Sequence, residues 1–507
     1  MQSVRKMHLN SASWLLSLVA ILCVSSCSAH EDTVSIFPLN RYNQSTSAWI
    51  RPSDPHYNAR LLTEESQQKR LNQFYEHYYG AYSPWSRGFI SAILQSKPPN
   101  DMASLERSLI VYFDNQGKSA NQIGYGENFR PYDNEWIMAI SANMQPAQFE
   151  HAVYQDQQRG IAVDNLYVRA LPTQDVYLYN HRIAGEGYPF DNLQMSALWL
   201  GTPVYVLGET LDHAWSFVVT PDCIGWVRSR GIARVNTAFV NAWTLAAKQQ
   251  LAAVIKTNTS ILDHDGQFIA SAYIGSVFPA APAGDSVQVY IPIKDTRGRA
   301  VVKLAALSAE QAVMMPLSAT PKHYAMLMRS LQGRPYGWGN MYFYNDCSAE
   351  LKNLLVPFGI WIPRHSSDQL SAGKTYDATL LTPDKRLDYL TANGKPFLSI
   401  IYIGGHVMLY VGTYADKNLA KTNIVMTYQN VWGLSPAERQ RRAVIGQSVF
   451  FPLLLSYPED ASLVSLAAKR YFIIANLDEM TNDNYLMNLQ SKNIKSLLFP
   501  DAMLNPI

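Results

Sequence analysis

Two residues of this chain could together do nucleophilic chemistry: Cys347, in Asn345-Asp346-Cys347-Ser348, and His406, in Gly404-Gly405-His406-Val407. A cysteine at the first turn of a helix sits where backbone N–H groups and the helix dipole favour the thiolate, its reactive form. The residues after Cys347 have the pattern this requires. Cys347, Leu351, Leu354, Leu355 and Phe358 fall at helical spacing, and Pro357 and Gly359 supply a stop signal. The spacing predicts a helix that buries its leucines and presents Cys347 at its start.

The histidine must be brought to that helix by a strand. Val407 to Val411 and Ile424 to Tyr428 read as two strands of a hairpin, with the polar stretch Ala415-Asp416-Lys417-Asn418 between them. With the tip near Asn418, antiparallel pairing places His406 beside Gln429 or Asn430, each about twelve residues from the tip. Asn430 is then the natural orienter of His406, with Gln429 as the competing neighbour. A thiolate, an imidazole that accepts and returns the proton, and an amide that fixes its tautomer form a Cys-His-Asn triad for acyl transfer. Taken singly, a cysteine is more often a small buried hydrophobe and a strand histidine a structural one.

The chain resembles the NlpC-type, papain-like cysteine peptidases that cleave bacterial cell-wall peptides. Trp338-Gly339, Asp346-Cys347-Ser348, Phe358-Gly359-Ile360, Pro363-Arg364, Ser366-Ser367, Gln369, Gly373, Gly405 to Tyr410 and Trp432-Gly433 occur in that family's order. The family's third catalytic position is most often His, whereas Asn430 stands here. The resemblance implies an α+β papain-like peptidase domain and cleavage of the amide between γ-D-glutamate and the diamino acid of peptidoglycan stem peptides. It also implies that the Tyr336 hydroxyl joins the Cys347 N–H in an oxyanion hole, although a core aromatic is the other reading of Tyr336. Trp338, Ser348, Arg364, Ser366 and Ser367 become candidate pocket walls, with helix capping and surface hydrogen bonding as the alternative for the serines.

At 507 residues the chain is too long for one core and suggests three or four domains. Residues 310–455 are expected to be the peptidase domain and 456–507 a C-terminal extension that carries no readable motif. Short strands divided by turns from 161 to 240, including Trp215-Ser216-Phe217-Val218-Val219, look like an SH3-type barrel, and a weaker repeat of that pattern over 241–309 reads as a second. Residues 59–160 resemble the helical N-terminal cap of multidomain relatives; Leu71, Phe74, Tyr75 and Tyr78 share one helical face, and a second helix is expected near 133–147. The fold expected is therefore multidomain: an α+β papain-like domain preceded by two all-β SH3-like barrels and an α-helical cap.

The charge balance, 42 Lys+Arg against 40 Asp+Glu for a net +2, offers no electrostatic case for nucleic acid. The 30 Tyr and 11 Trp suit peptide- or glycan-facing aromatic surfaces instead. No phosphate loop, dinucleotide fingerprint or metal-ligand cluster is recognisable, so cofactor-free and metal-free catalysis is expected. With only 4 Cys, a disulfide framework is excluded. Arg5 and Lys6 precede the apolar run Trp14 to Val24, and Val24-Ser25-Ser26-Cys27 resembles a lipoprotein signal. Residues 1–27 are thus expected to be a signal peptide, with Cys27 acylated, 28–58 a tether, and the protein anchored by lipid on the periplasmic face of an outer membrane.

The function expected is hydrolysis of stem peptides or muropeptides. A cap and barrel closing one end of the groove would favour peptides with a free N-terminal L-Ala, its ammonium held by Asp346 or by Asp191 of the barrel insertion Pro189 to Gln194. Asp346 could equally cap the Cys347 helix, and Asp191 could serve only its own turn. A non-catalytic peptidoglycan-binding lipoprotein and a papain-like acyltransferase are the competing classes.

Overall fold

The computed structural model describes residues 33–416 and 421–480. Cys27, the signal segment and the part of the extension after 480 lie outside the described residues. None of the described helices is long and apolar enough to cross a membrane.

A seven-stranded sheet organises the peptidase region, in the order Val34–Ile36, Arg442–Leu453, Lys421–Leu434, Val407–Asp416, Ser399–Tyr402, Ile473–Asn476 and Lys374–Asp377. The helix Cys347–Leu355 packs on one face against the strands Val407–Asp416 and Lys421–Leu434. Leu351, Leu354 and Leu355 enter one core with Val407, Leu409, Met426 and Tyr428, as the helical spacing predicts. Alternation along the strand sends Met408, Tyr410 and Val425 to the opposite core.

Two boundaries around the peptidase sheet differ from expectation. The peptidase sheet does not end at 455, because Ile473–Asn476 sits inside it, paired with both Ser399–Tyr402 and Lys374–Asp377. Nor is 33–58 a tether. Val34–Ile36 pairs in parallel with Arg442 to Val444 on the sheet edge, and Phe37 and Tyr42 pack on Phe451. Aromatic side chains in a polar stretch bury enough apolar area to hold it down.

The first barrel region has strands in the order Gln194–Leu198, Leu166–Arg169, Ile224–Arg228, Trp215–Val219, Pro203–Glu209, Arg159–Ala162 and Ile232–Arg234. The helix Thr237–Gln249, capped by Asn236, then leads to a five-stranded sheet from Leu251–Val254 to Ala312–Met314, slightly beyond the expected limit at 309. Of the N-terminal helices, Glu64–Tyr78 is capped by Thr63 and Asn134–Met144 by Asp133. Arg87–Leu94 and Met102–Phe113 lie between them. These last two share a core with Trp226, Phe217 and Tyr205 of the first barrel. Glu64–Tyr78 instead clamps the peptidase: buried Arg70 donates to the Ala372 carbonyl at 2.7 Å and Gln67 to the Phe358 carbonyl at 3.0 Å. Leu71 meets Gly359, where a Cβ would lie 3.1 Å from the Leu71 Cβ and where φ is +75°.

Candidate active site

Asp346 caps the Cys347–Leu355 helix, its carboxylate accepting from the Ala349 N–H at 2.9 Å, so Cys347 stands at the first helical position and is buried. The preceding turn is pinned by a polar network. Asn345 Nδ2 donates to Glu350 at 2.7 Å, the Tyr428 hydroxyl donates to the same carboxylate at 2.6 Å, and Asn353 donates to Asn345 Oδ1 at 2.9 Å. Burial raises the Glu350 pKa.

Arg364 is the hub of the wall beside Cys347. It is buried, pairs with Asp346 at 2.7 Å, and donates to the Ser348 hydroxyl at 2.7 Å, the Ser196 hydroxyl at 2.8 Å and Asn340 Oδ1 at 3.1 Å. Burial disfavours its charge, but Asp346 more than offsets this and the guanidinium pKa is raised. Ser196 belongs to the first barrel, so this wall joins two domains. Gln194 of the same strand donates to the Gly339 carbonyl at 2.8 Å. Gly339 is required there, since a Cβ would lie 2.4 Å from the Gln194 carbonyl oxygen.

Asp191 corrects an expectation. It is fully buried, pairs with Arg169 at 2.9 Å and accepts from the N–H groups of Tyr177 and Leu193 at 2.9 and 3.0 Å. Its carboxylate is consumed within the barrel, and only its backbone carbonyl faces the peptidase, accepting from Trp338 Nε1 at 3.1 Å. Asp346 is likewise committed, to the helix cap and to Arg364. An ammonium near it meets a neutral pair rather than a free carboxylate.

His406 follows Gly404 and Gly405, both left-handed with φ of +85° and +69°, in a turn leading into Val407–Asp416. Its Nε2 lies 2.6 Å from Gln429 Oε1. Asn430 is not its partner. The register pairs Leu409 with Tyr428, so Tyr428 and Asn430 point to the helix-covered face and Gln429 to the other, beside Met408. Asn430 donates instead to the Asn345 carbonyl at 2.9 Å, and its Oδ1 is buried without a hydrogen bond. Burial is the main cause that lowers the His406 pKa to about 4; Gln429 works the other way.

Tyr336 is half-buried, and burial together with charge at Cys347 and Asp346 raises its pKa well above 10.0, keeping the hydroxyl a donor. Ser366 is buried and Ser367 half-buried in the turn after Arg364, before the short helix Asp368–Ala372. Gln369 of that helix donates to the Ser348 carbonyl at 2.8 Å.

Sequence reasoning missed the aromatic wall opposite. Phe190 packs edge-on against Trp338 at 5.1 Å and Trp432 at 5.2 Å, and Trp432 lies 6.0 Å from Tyr336. The Pro189 to Gln194 insertion was the only available signal, and its aromatic residue matters here more than its acid.

Residues 177–228 match the SH3 domain of SH3b1 type and 236–290 the SH3 domain of SH3b2 type. Among solved structures, the chain is similar to a novel NlpC/P60 endopeptidase from Photobacterium damselae subsp. piscicida, at 27% identity and TM-score 0.73 over 88% of this chain and 99% of that one. This chain has the build of an NlpC-type peptidase with two bacterial SH3 domains. An NlpC/P60 family protein from Bacillus cereus ATCC 10987 superposes with TM-score 0.39 and 15% identity, covering 61% of this chain and 98% of that chain. Comparison with curated proteins gives no match. Within the NlpC-type peptidase build, the first SH3 domain supplies Phe190, Gln194 and Ser196 to the wall beside Cys347.

Proposed function

We propose that the protein is a cysteine peptidase that hydrolyses the γ-D-glutamyl–diamino acid amide of peptidoglycan stem peptides. The observation that carries the reading is Cys347 at the capped first turn of a buried helix, with His406 in the turn that enters the adjoining strand, in a chain similar along most of its length to an NlpC/P60 endopeptidase. His406, neutral near pH 7, takes the Cys347 proton as sulfur attacks the carbonyl carbon. The oxyanion is held by the Cys347 N–H and the Tyr336 hydroxyl. His406 then returns the proton to the leaving amine, and later takes one from the water that releases the acyl group and regenerates the thiol. Gln429 orients His406, and Asn430 holds the Asn345–Asp346 turn.

The wall of Phe190, Trp338, Gln194 and Ser196 closes the acyl side of the cleft, which favours short freed peptides with an unblocked L-Ala over glycan-linked ones. That preference rests on closure, since Asp191 and Asp346 are both neutralised by arginines. The lipid anchor at Cys27 and a place on the periplasmic face of the outer membrane belong to the same proposal.

Incubation of the protein with L-Ala-γ-D-Glu-diaminopimelate and its N-acetylated form, with products weighed, tests this. Gain of water on the free peptide, absent in Cys347→Ala, is expected. No mass change would mean a wall-binding protein, and a new adduct an acyltransferase. Equal rates on both peptides would remove the closed cleft alone.

A further inference from the structure

Glu350 is an acid where the packing calls for a hydrocarbon. It lies one turn after Cys347 on the same face of the helix Cys347–Leu355, is 1% exposed, and is flanked by Leu351, Leu354 and Leu355 of the core. A carboxyl buried there is costly unless its oxygens are hydrogen-bonded. Each oxygen has a partner. The Tyr428 hydroxyl lies 2.6 Å from Oε1, and Asn345 Nδ2 lies 2.7 Å from Oε2. These partners belong to the two halves of the candidate site. Tyr428 immediately precedes Gln429, whose Oε1 meets His406, and Asn345 stands two residues before Cys347.

The other groups of Asn345 are held more than once. Its Oδ1 accepts from Asn353 at 2.9 Å and from Asn340 at 3.2 Å, and its carbonyl accepts from Asn430 at 2.9 Å and from the Gly337 N–H at 3.0 Å. Loss of Asn430 therefore leaves the carbonyl bonded to Gly337, whereas Glu350 is the acceptor for Nδ2. A nucleophile and its base react only when held in near-attack geometry. We propose that Glu350 is a positioning residue for the hydrolysis, bracing the strand that orients His406 against the turn that presents Cys347. This inference rests on the peptidase reading. Glu350 acts through Asn345 and Tyr428, so its position needs an acceptor for the first and a polar partner for the second. Glutamine supplies both, because its amide oxygen accepts from Asn345 while its NH2 donates to the Tyr428 oxygen. Methionine fills similar space and supplies neither.

The test measures kcat and KM on L-Ala-γ-D-Glu-diaminopimelate, together with urea unfolding, for the full chain and for Glu350→Met, Glu350→Gln and Tyr428→Phe. Glu350→Met is expected to lower kcat by about 10- to 100-fold with KM within about threefold of wild type, in protein that still unfolds cooperatively. Glu350→Gln should return kcat to within about threefold of wild type, which a purely space-filling role would not require. Tyr428→Phe, which removes one oxygen, should lower kcat by about 3- to 10-fold, and it decides the matter if Glu350→Met does not fold. A kcat within about threefold of wild type in folded Glu350→Met, or a loss in Glu350→Gln as large as in Glu350→Met, overturns the brace while leaving the peptidase intact. With Glu350→Met unfolded, an unchanged kcat in Tyr428→Phe overturns it as well. Failure of the wild type to cleave the peptide overturns the peptidase reading itself, and the brace with it.

Discussion

His406 Nε2 meets Gln429 Oε1 at 2.6 Å, while Asn430, the next residue, turns to the opposite face of its strand and holds the Asn345 carbonyl. Adjacent amides thus have separate work: one fixes a ring, the other fixes a turn. Gln429→Ala is expected to lower kcat by about 10- to 100-fold with little change in KM, because orientation is lost while both reacting groups stay. Asn430→Ala should cost about 1 kcal/mol of stability and little rate. Steady-state kinetics with urea unfolding separates the two, and the reverse pattern would return the orienting role to Asn430.

Acidification should act through His406. Its pKa is lowered from the usual 6.5 to about 4, so the folded state binds the proton less readily than the unfolded chain. The stability this contributes is present above pH 6.5 and is lost as pH falls through the window down to about 4. His406→Gln should therefore lose less stability than wild type between pH 7 and 4.5. The acid limb of kcat/KM should lie below the ordinary histidine range, and a limb centred at 6.5 would contradict a neutral buried imidazole.

Arg364→Ala would leave Asp346 buried without its counter-charge and strip donors from Ser196 and Asn340. Such a break costs about 3–5 kcal/mol, against about 0–1 for an exposed pair. The loss should appear in denaturant unfolding, with Arg364→Lys recovering only part of it because an ammonium lacks the planar fork. Unchanged stability in Arg364→Ala would mean that the barrel wall is held by other contacts.

At the N-terminus, intact-mass measurement of membrane-extracted protein should find Cys27 as first residue carrying acyl chains. A soluble product beginning beyond Cys27 would contradict the anchor.

The Cys347 helix was readable because its leucine spacing, its stop at Pro357-Gly359 and its Asp346 cap are local features, each decided within a few residues. The strand before Tyr428 and the approach of His406 to the Gln429–Asn430 pair followed from counting along one hairpin. Which of the two amides faces the ring did not. Counting to a hairpin tip carries an error of at least one residue, and bulges between Tyr410 and Gly412 and between Tyr414 and Asp416 shift the register; one residue reverses the face.

By itself, then, the sequence determined the elements and pointed to Cys347 and His406 as the candidate nucleophile and base, since periodicity, capping and motif order are written in neighbouring residues. The tertiary structure decided who shares the cleft. Phe190, Gln194 and Ser196 come from a different domain, and Asp191 is spent on Arg169. Their roles depend on long-range packing, where the burial of one charge beside another, rather than residue type, fixes what each side chain is free to do.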